Sequence, residues 1–317
     1  MTEITDETFP TKQDAVFVEI IDRIHTQNED IGALFLEVTG IPGSGKTAVI
    51  LTFLEDILLN HPDQKTFFYD TYKSPFQFAK LPKGMWEILM EENPGYSHNI
   101  TFHDRDNENE EIDLPFRTFK DFDDLYKKAT PGKCTAVFFY DQVKWIDFIH
   151  YLNGKSWCHV FLDEYGELFP SNSSGPLYRK IKDATDIFKD VRRCRTNVFA
   201  TTQVTSDVDY RIRNKLMCVA YTYGAKPLKR SRVSQAAIDK LDRDISKGNE
   251  IWLEYGFGIF GKGRLTKIYK PKKGMNWEAH PPVDAPKVTD YMKGGPKDKQ
   301  EKKAKRKTVP TSEKQFY

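Results

Sequence analysis

The chain has 317 residues, of which 39% are hydrophobic and 30% charged, with a formal net charge of +2. That length can bury one large core or two modest ones. The near balance of charge excludes a uniformly basic surface: Lys293–Lys307 alone carries eight Lys/Arg against Asp298 and Glu301, so the rest of the chain sums to −4. No apolar run approaches the ~18 residues of a membrane-spanning helix, and the first residues, "MTEITDETFPTKQD", are acidic and polar without a secretory apolar core. The expectation is a soluble, cytoplasmic protein, in the host cytoplasm if the chain is viral, with no stable membrane insertion.

In chain order, "DAVFVEIIDRIHTQ" places Val16, Phe17, Ile20, Ile21 and Ile24 on one helical face. The strand "ALFLEVT" follows, then the turn "GIPGSGKT" and a helix ending near Asn60 and Pro62. "KTFFYD" reads as a strand. Residues 71–131 read as an insertion, with an aromatic loop, a short amphipathic piece around Trp86, an acidic loop and a helix near "FKDFDDLYKKA".

Regular alternation then resumes with strands at "CTAVFFYD", "WCHVFLDE", "NVFATTQ" and "LMCVAYTYG". Helices are expected between them at "QVKWIDFIHYLN", "PLYRKIKDATDIFKDVRRC" and "DYRIRNK", and "NEIWLEYGFGIFGKGRLTKIYK" reads as terminal strands or a hairpin. Such alternation predicts an α/β protein with a mainly parallel sheet flanked by helices. The expected organisation is a helical segment over 1–30, a nucleotide-binding domain over 31–270 and a Pro/Gly/Lys-rich disordered basic tail over 271–317.

Four separated cysteines (Cys134, Cys158, Cys194, Cys218) form no C-x-x-C pair and read as reduced, packed thiols. "HNITFHDRDNENEEID" lacks the glycine and twelfth-position glutamate of a calcium loop, so it reads as a solvated acidic loop.

The chemistry concentrates in three elements. "GIPGSGKT", Gly40-Ile41-Pro42-Gly43-Ser44-Gly45-Lys46-Thr47, fits the phosphate-loop pattern G-x-x-x-x-G-K-[ST]. Its glycines let successive N–H groups turn toward phosphate oxygens, and the following helix adds its positive N-terminal end. Lys46 is placed to reach the β- and γ-phosphates of ATP and Thr47 to ligate Mg²⁺. The second element, "HVFLDE", ends an apolar strand in two carboxylates. Asp163 is placed to hold Mg²⁺ through water, and Glu164 to deprotonate the attacking water. The third, "NVFATTQ", puts Gln203 at a strand tip, where it can sense the γ-phosphate. No N-K-x-D guanine motif and no L-S-G-G-Q sequence occur.

With these elements in this order, Leu34–Tyr223 resembles the HerA–FtsK superfamily of P-loop ATPases, which includes DNA-pumping motors, viral genome-packaging ATPases and Zot-like proteins. The carriers are "GIPGSGKT", "VFLDE" and "VRRCRTNVFATTQ", with "DEYGELFP" and "TTQVTSDVDYRIRNK" like the Zot and packaging branches. The resemblance implies a RecA-like core, a homo-oligomer expected to be a hexameric ring, and non-specific binding of double-stranded DNA in its channel. It also implies a basic pair before the sensor glutamine, here Arg192 and Arg193, acting across the subunit interface, with Arg211 and Arg213 as further candidates. Arg195 departs from the family's frequent glycine. The leading reading is an ATP-driven DNA translocase. A Zot-like ATPase of phage or virus assembly, or of protein export, stays open, as does a small-molecule phosphotransferase. The run "KDKQEKKAKRKT" can contact nucleic-acid phosphates or serve as a solubilising end.

Overall fold

The computed structural model describes residues 33–70, 78, 81–82, 84–92, 101–104, 107–111, 115–189, 195–244, 249–255, 258–265 and 277–280. The expected helix over 1–30, the Arg192–Arg193 pair, Cys194 and the basic run after Lys293 lie outside the described residues.

Thirteen strands are described: β1 Phe35–Thr39, β2 Lys65–Tyr69, β3 Trp86–Glu91, β4 Thr101–Asp104, β5 Asn107–Glu111, β6 Arg117–Phe119 and β7 Cys134–Phe138, then β8 Cys158–Leu162, β9 Thr196–Thr202, β10 Cys218–Tyr221, β11 Asn249–Tyr255, β12 Gly258–Leu265 and β13 Trp277–His280. The helices are α1 Lys46–Asn60, α2 Phe122–Lys128, α3 Lys144–Leu152, α4 Gly175–Lys189, α5 Tyr210–Arg213 and α6 Gln235–Ile238.

Ten strands form one sheet in the order β12-β11-β10-β1-β9-β8-β2-β7-β3-β6. From β10 to β6 every pairing is parallel, and β11 and β12 add an antiparallel hairpin at the other edge. This is the expected α/β architecture of a RecA-like P-loop core.

Strand alternation divides the core between two faces. Leu36 and Val38 join Val49, Ile50, Phe53, Leu54 and Ile57 of α1 on one face. Phe35 joins Trp145, Phe148 and Ile149 of α3 and Leu177 and Ile181 of α4 on the other. Spacings of three and four along these helices turn one apolar stripe toward the sheet. Helix α1 stops at His61, whose N–H donates to Ile57 O at 2.8 Å, directly before Pro62.

Register then sets where the chemistry lies. Thr39 pairs with Thr202 of β9 and Tyr221 of β10, and Leu162 of β8 with Ala200 of β9. The loops after β1, β8, β9 and β10 therefore leave one edge of the sheet side by side. That edge, at the carboxyl ends of parallel strands, is where ligands bind in open α/β sheets.

Three local expectations change. The amphipathic piece around Trp86 is strand β3, pairing β7 and β6 within the main sheet. Part of the acidic loop is the hairpin β4–β5, and β13 pairs antiparallel with β4, so 277–280 is strand where a structureless tail was expected. For β3 and β13, partners distant in sequence supply the backbone hydrogen bonds that local composition does not announce. The aromatic run is core where described: Phe68 stacks against Phe161 at 6.3 Å and meets Phe78 edge-on at 6.1 Å. Cys134, Cys158 and Cys218 are buried, and Cys158 Sγ lies 3.3 Å from Thr196 Oγ1.

Candidate nucleotide site

Strand β1 feeds the loop Gly40–Thr47, which curls because Gly43 and Gly45 take φ of 77° and 88°. A Cβ on Gly40 would sit 1.9 Å from Thr222 Oγ1, so only glycine fits against the end of β10. The Thr222 hydroxyl donates to Thr39 O at 3.0 Å, which leaves Ser44 Oγ to donate to Thr222 Oγ1 at 2.6 Å. The loop is thus fastened to the strand beyond β1. No side chain caps the start of α1, so side chains do not occupy its first N–H groups, which are the groups that hold anions at helix N-termini.

Lys46 is 6% exposed; its Nζ donates to Ile41 O at 3.3 Å and stands 3.7 Å from Glu164 Oε1. Burial lowers its pKa, and the nearby carboxylates of Glu164 and Asp163 act in the opposite sense.

The two carboxylates are held by one hydroxyl. Thr201 of β9 donates to Asp163 Oδ1 at 2.8 Å and accepts the backbone N–H of Glu164 at 2.8 Å. Glu164 takes φ 49° and ψ 50°, the left-handed region, alone among the described non-glycine residues. Such a conformation costs on the order of 1–3 kcal/mol. It ends β8 abruptly and turns the Glu164 side chain toward Lys46, a quarter exposed, while Asp163 stays buried. Gln203 is exposed at the tip of the adjacent strand β9. Lys46, Asp163 and Glu164 lie together, with Gln203 on the neighbouring loop.

Below this layer lies a buried polar network that the sequence did not announce. Tyr165 donates its hydroxyl to Glu37 Oε2, and Thr205 donates to Glu37 Oε1 at 2.6 Å. Full burial pushes Glu37 up from 4.5 to about 7, against the opposing pull of the Thr205 and Tyr165 hydroxyls and of Arg213. A Glu inside "LFLEVT" breaks an otherwise apolar strand, and that was the available signal. Thr201 and Thr222 carried none, because threonine is ordinary in strands.

Arg211 is occupied as a structural cation. It forms a two-pronged pair with Asp209, Nε–Oδ1 at 2.9 Å and Nη2–Oδ2 at 2.7 Å, and lies 4.3 Å over the Tyr178 ring. Arg213 instead lines a cleft of about 420 Å³ together with Lys226, Lys229 and Arg230 after β10. No carboxylate lines it; Thr205 and Ser206 supply hydroxyls.

Thr47 and Asp163 carry oxygen donors of the kind that could hold a hard cation such as Mg²⁺ together with phosphate oxygens. Among the described residues no cluster of three His, Cys, Asp or Glu forms a metal cage. No described helix is long and apolar enough to cross a membrane.

Strand order, glycine loop and paired carboxylates together define a RecA-like P-loop core. No family model matches the chain, and no curated protein matches it. Among solved structures it is similar to the genome packaging NTPase B204 from Sulfolobus turreted icosahedral virus 2 in complex with AMP, at 12% identity and TM-score 0.46 over 77% of this chain and 98% of that one. It is similar also to the N-terminal domain of zonular occludens toxin from Neisseria meningitidis, at 14% identity and TM-score 0.30 over 82% and 98%. The ATPase domain of G40P matches at 12% identity and TM-score 0.39 over 78% and 93%.

Proposed function

We propose that this chain is an ATP-hydrolysing DNA translocase of the HerA–FtsK type, working as a homo-oligomeric ring on double-stranded DNA. The observation that carries the hydrolytic part is the placement of Glu164, 3.7 Å from the P-loop lysine and one residue beyond Asp163. A transferase that delivers phosphate to a bound acceptor has no need of a second carboxylate there. Glu164 is the general base that takes a proton from water, and Lys46 and the loop N–H groups stabilise charge on the phosphates. Thr47 and Asp163 would hold Mg²⁺, which supplies neutralisation of phosphate charge when bound. Lys46 contacts Glu164 directly, so phosphate contacts that draw the lysine away leave the carboxylate free to accept a proton. Gln203 reports the state of the γ-phosphate to the loop that follows β9.

The cleft of Arg213, Lys226, Lys229 and Arg230 favours a polyanionic track as the substrate being moved. Arg213 disfavours the charge of Arg230 across the cleft, and phosphodiester oxygens relieve that repulsion. The cleft's Thr205 also bonds Glu37, whose other oxygen accepts from the residue next to Glu164. The test is ATP turnover with and without duplex DNA, together with the salt dependence of duplex binding. Duplex-stimulated turnover is expected. The Lys226→Gln/Lys229→Gln variant should flatten the slope of log affinity against log salt by roughly 2, since each neutralised phosphate contributes about 0.9 to it. Turnover indifferent to DNA but stimulated by a protein substrate would favour the assembly or export reading.

A further inference from the structure

Against the outer side of the P-loop lies a second pocket, of about 200 Å³, that the phosphate chemistry does not use. Ile41 and Pro42 form one wall, and Tyr223, Asp242, Asn249 and Glu250 lie among its other lining residues. Three features give it a chemical character. Ile41 is 42% exposed, a large apolar side chain left open to solvent beside the loop. It is received by Gly224, where an added Cβ would meet the Ile41 side chain at 2.8 Å. Tyr223 carries the Arg243 guanidinium 4.5 Å over its ring, a second flat surface suited to a planar heterocycle.

Asp242 and Glu250 outnumber the one cation of the lining, Arg243, so the pocket disfavours phosphate relative to the loop beside it. The third feature is Asn249 at the start of β11, 2% exposed, with neither Oδ1 nor Nδ2 hydrogen-bonded among the described residues. A buried amide left unpaired on both sides is a costly state that a ligand offering one donor and one acceptor resolves. Adenine offers that pair, its N6 amine beside N7, and asparagine matches it with two hydrogen bonds. Guanine presents two acceptors, O6 and N7, on the corresponding edge and cannot satisfy Oδ1.

We propose that this pocket receives the nucleobase of the nucleotide whose phosphates the P-loop holds, and that Asn249 selects adenine. The inference rests on the phosphate-loop reading but not on the DNA reading. Affinity of the full chain for ATP, GTP and inorganic tripolyphosphate, each with Mg²⁺, tests it by calorimetry. The wild-type chain should prefer ATP to GTP by roughly 5- to 150-fold, the discrimination of one good bidentate pair. Asn249→Ala should reduce that preference to about twofold or less while tripolyphosphate affinity stays the same. Asn249→Leu keeps the side-chain bulk but loses both the donor and the acceptor, so it should reduce the preference too even if the alanine variant folds poorly. Equal ATP and GTP affinity in the wild type, or a preference kept by the folded variants, overturns the assignment alone. Failure of tripolyphosphate itself to bind overturns the phosphate-loop reading and this one with it.

Discussion

Tyr165 follows Glu164 directly and donates its hydroxyl to Glu37, a carboxyl buried within the strand that leads to the P-loop. The turn carrying the proposed general base is thereby tied to the root of the phosphate loop. Thr205, beyond Gln203, closes the same knot from the third strand.

That knot makes stability depend on pH. Glu37 is raised from 4.5 to about 7, so the folded state holds a proton that the unfolded chain releases earlier. The contribution is fully present below pH 4.5 and is lost as pH rises to about 7, amounting to about 3 kcal/mol if the whole displacement counts. Denaturant unfolding of wild type and Glu37→Gln at pH 4.5 and pH 8 is the check. The variant should gain relative to wild type at the higher pH, and a difference independent of pH would show that Glu37 does not titrate there.

Removing the Lys46 charge and removing the Glu164 carboxylate should have separable effects. Lys46→Ala should abolish tight ATP binding, because the β- and γ-phosphates lose their cation. Glu164→Gln should bind ATP yet turn it over roughly 10²–10⁴-fold more slowly. Equilibrium binding and steady-state hydrolysis on both variants distinguish the roles; near-wild-type turnover in the glutamine variant would remove Glu164 from the mechanism.

Thr201 holds both carboxylate residues, so Thr201→Val leaves Asp163 Oδ1 and the Glu164 N–H short of a partner. The expected loss is about 1–3 kcal/mol of stability, with weaker Mg²⁺-dependent nucleotide affinity. Thr201→Ser should restore both. Thermal melting and magnesium titration of nucleotide binding read the two effects.

A cation acting across an interface, the role that the resemblance implies for Arg192 and Arg193, is tested by mixing. The Arg192→Ala/Arg193→Ala variant should bind ATP and hydrolyse it poorly, and adding Lys46→Ala subunits should recover part of the rate. An arginine supplied across an interface can contribute roughly 10³–10⁵ in rate in other NTPases. Sedimentation across the mixing series reports the assembly, and full activity in a monomer at every dilution would refute the shared site.

The main sheet was legible wherever local pattern and long-range pairing agree. "ALFLEVT", "VFLDE" and "NVFATTQ" are apolar runs ended by polar residues, and parallel strands buried on both faces require that composition. Trp86–Glu91 and Trp277–His280 were not legible, because their strand character comes from partners far along the chain. Trp86 pairs with Cys134 and Leu89 with Arg117, while Trp277 pairs with Asp104. At the site, glycines and carboxylates announce themselves through rare spacing. Thr201, Thr222, Tyr165 and Asn249 act through positions that only the register of β9, β10 and β11 creates. Arg211 looked available in sequence and is instead claimed by Asp209, two residues before it.

The left-handed backbone at Glu164 has an evolutionary consequence. Glycine would occupy that position without strain, so Glu164→Gly should relieve on the order of 1 kcal/mol or more of backbone strain while eliminating turnover. The chain keeps a less comfortable residue at the position proposed for the general base, which on that reading is a local trade of robustness for activity. Laboratory selection for heat tolerance alone, with hydrolysis unmonitored, should drift toward glycine at that position and yield a sturdier protein that no longer works.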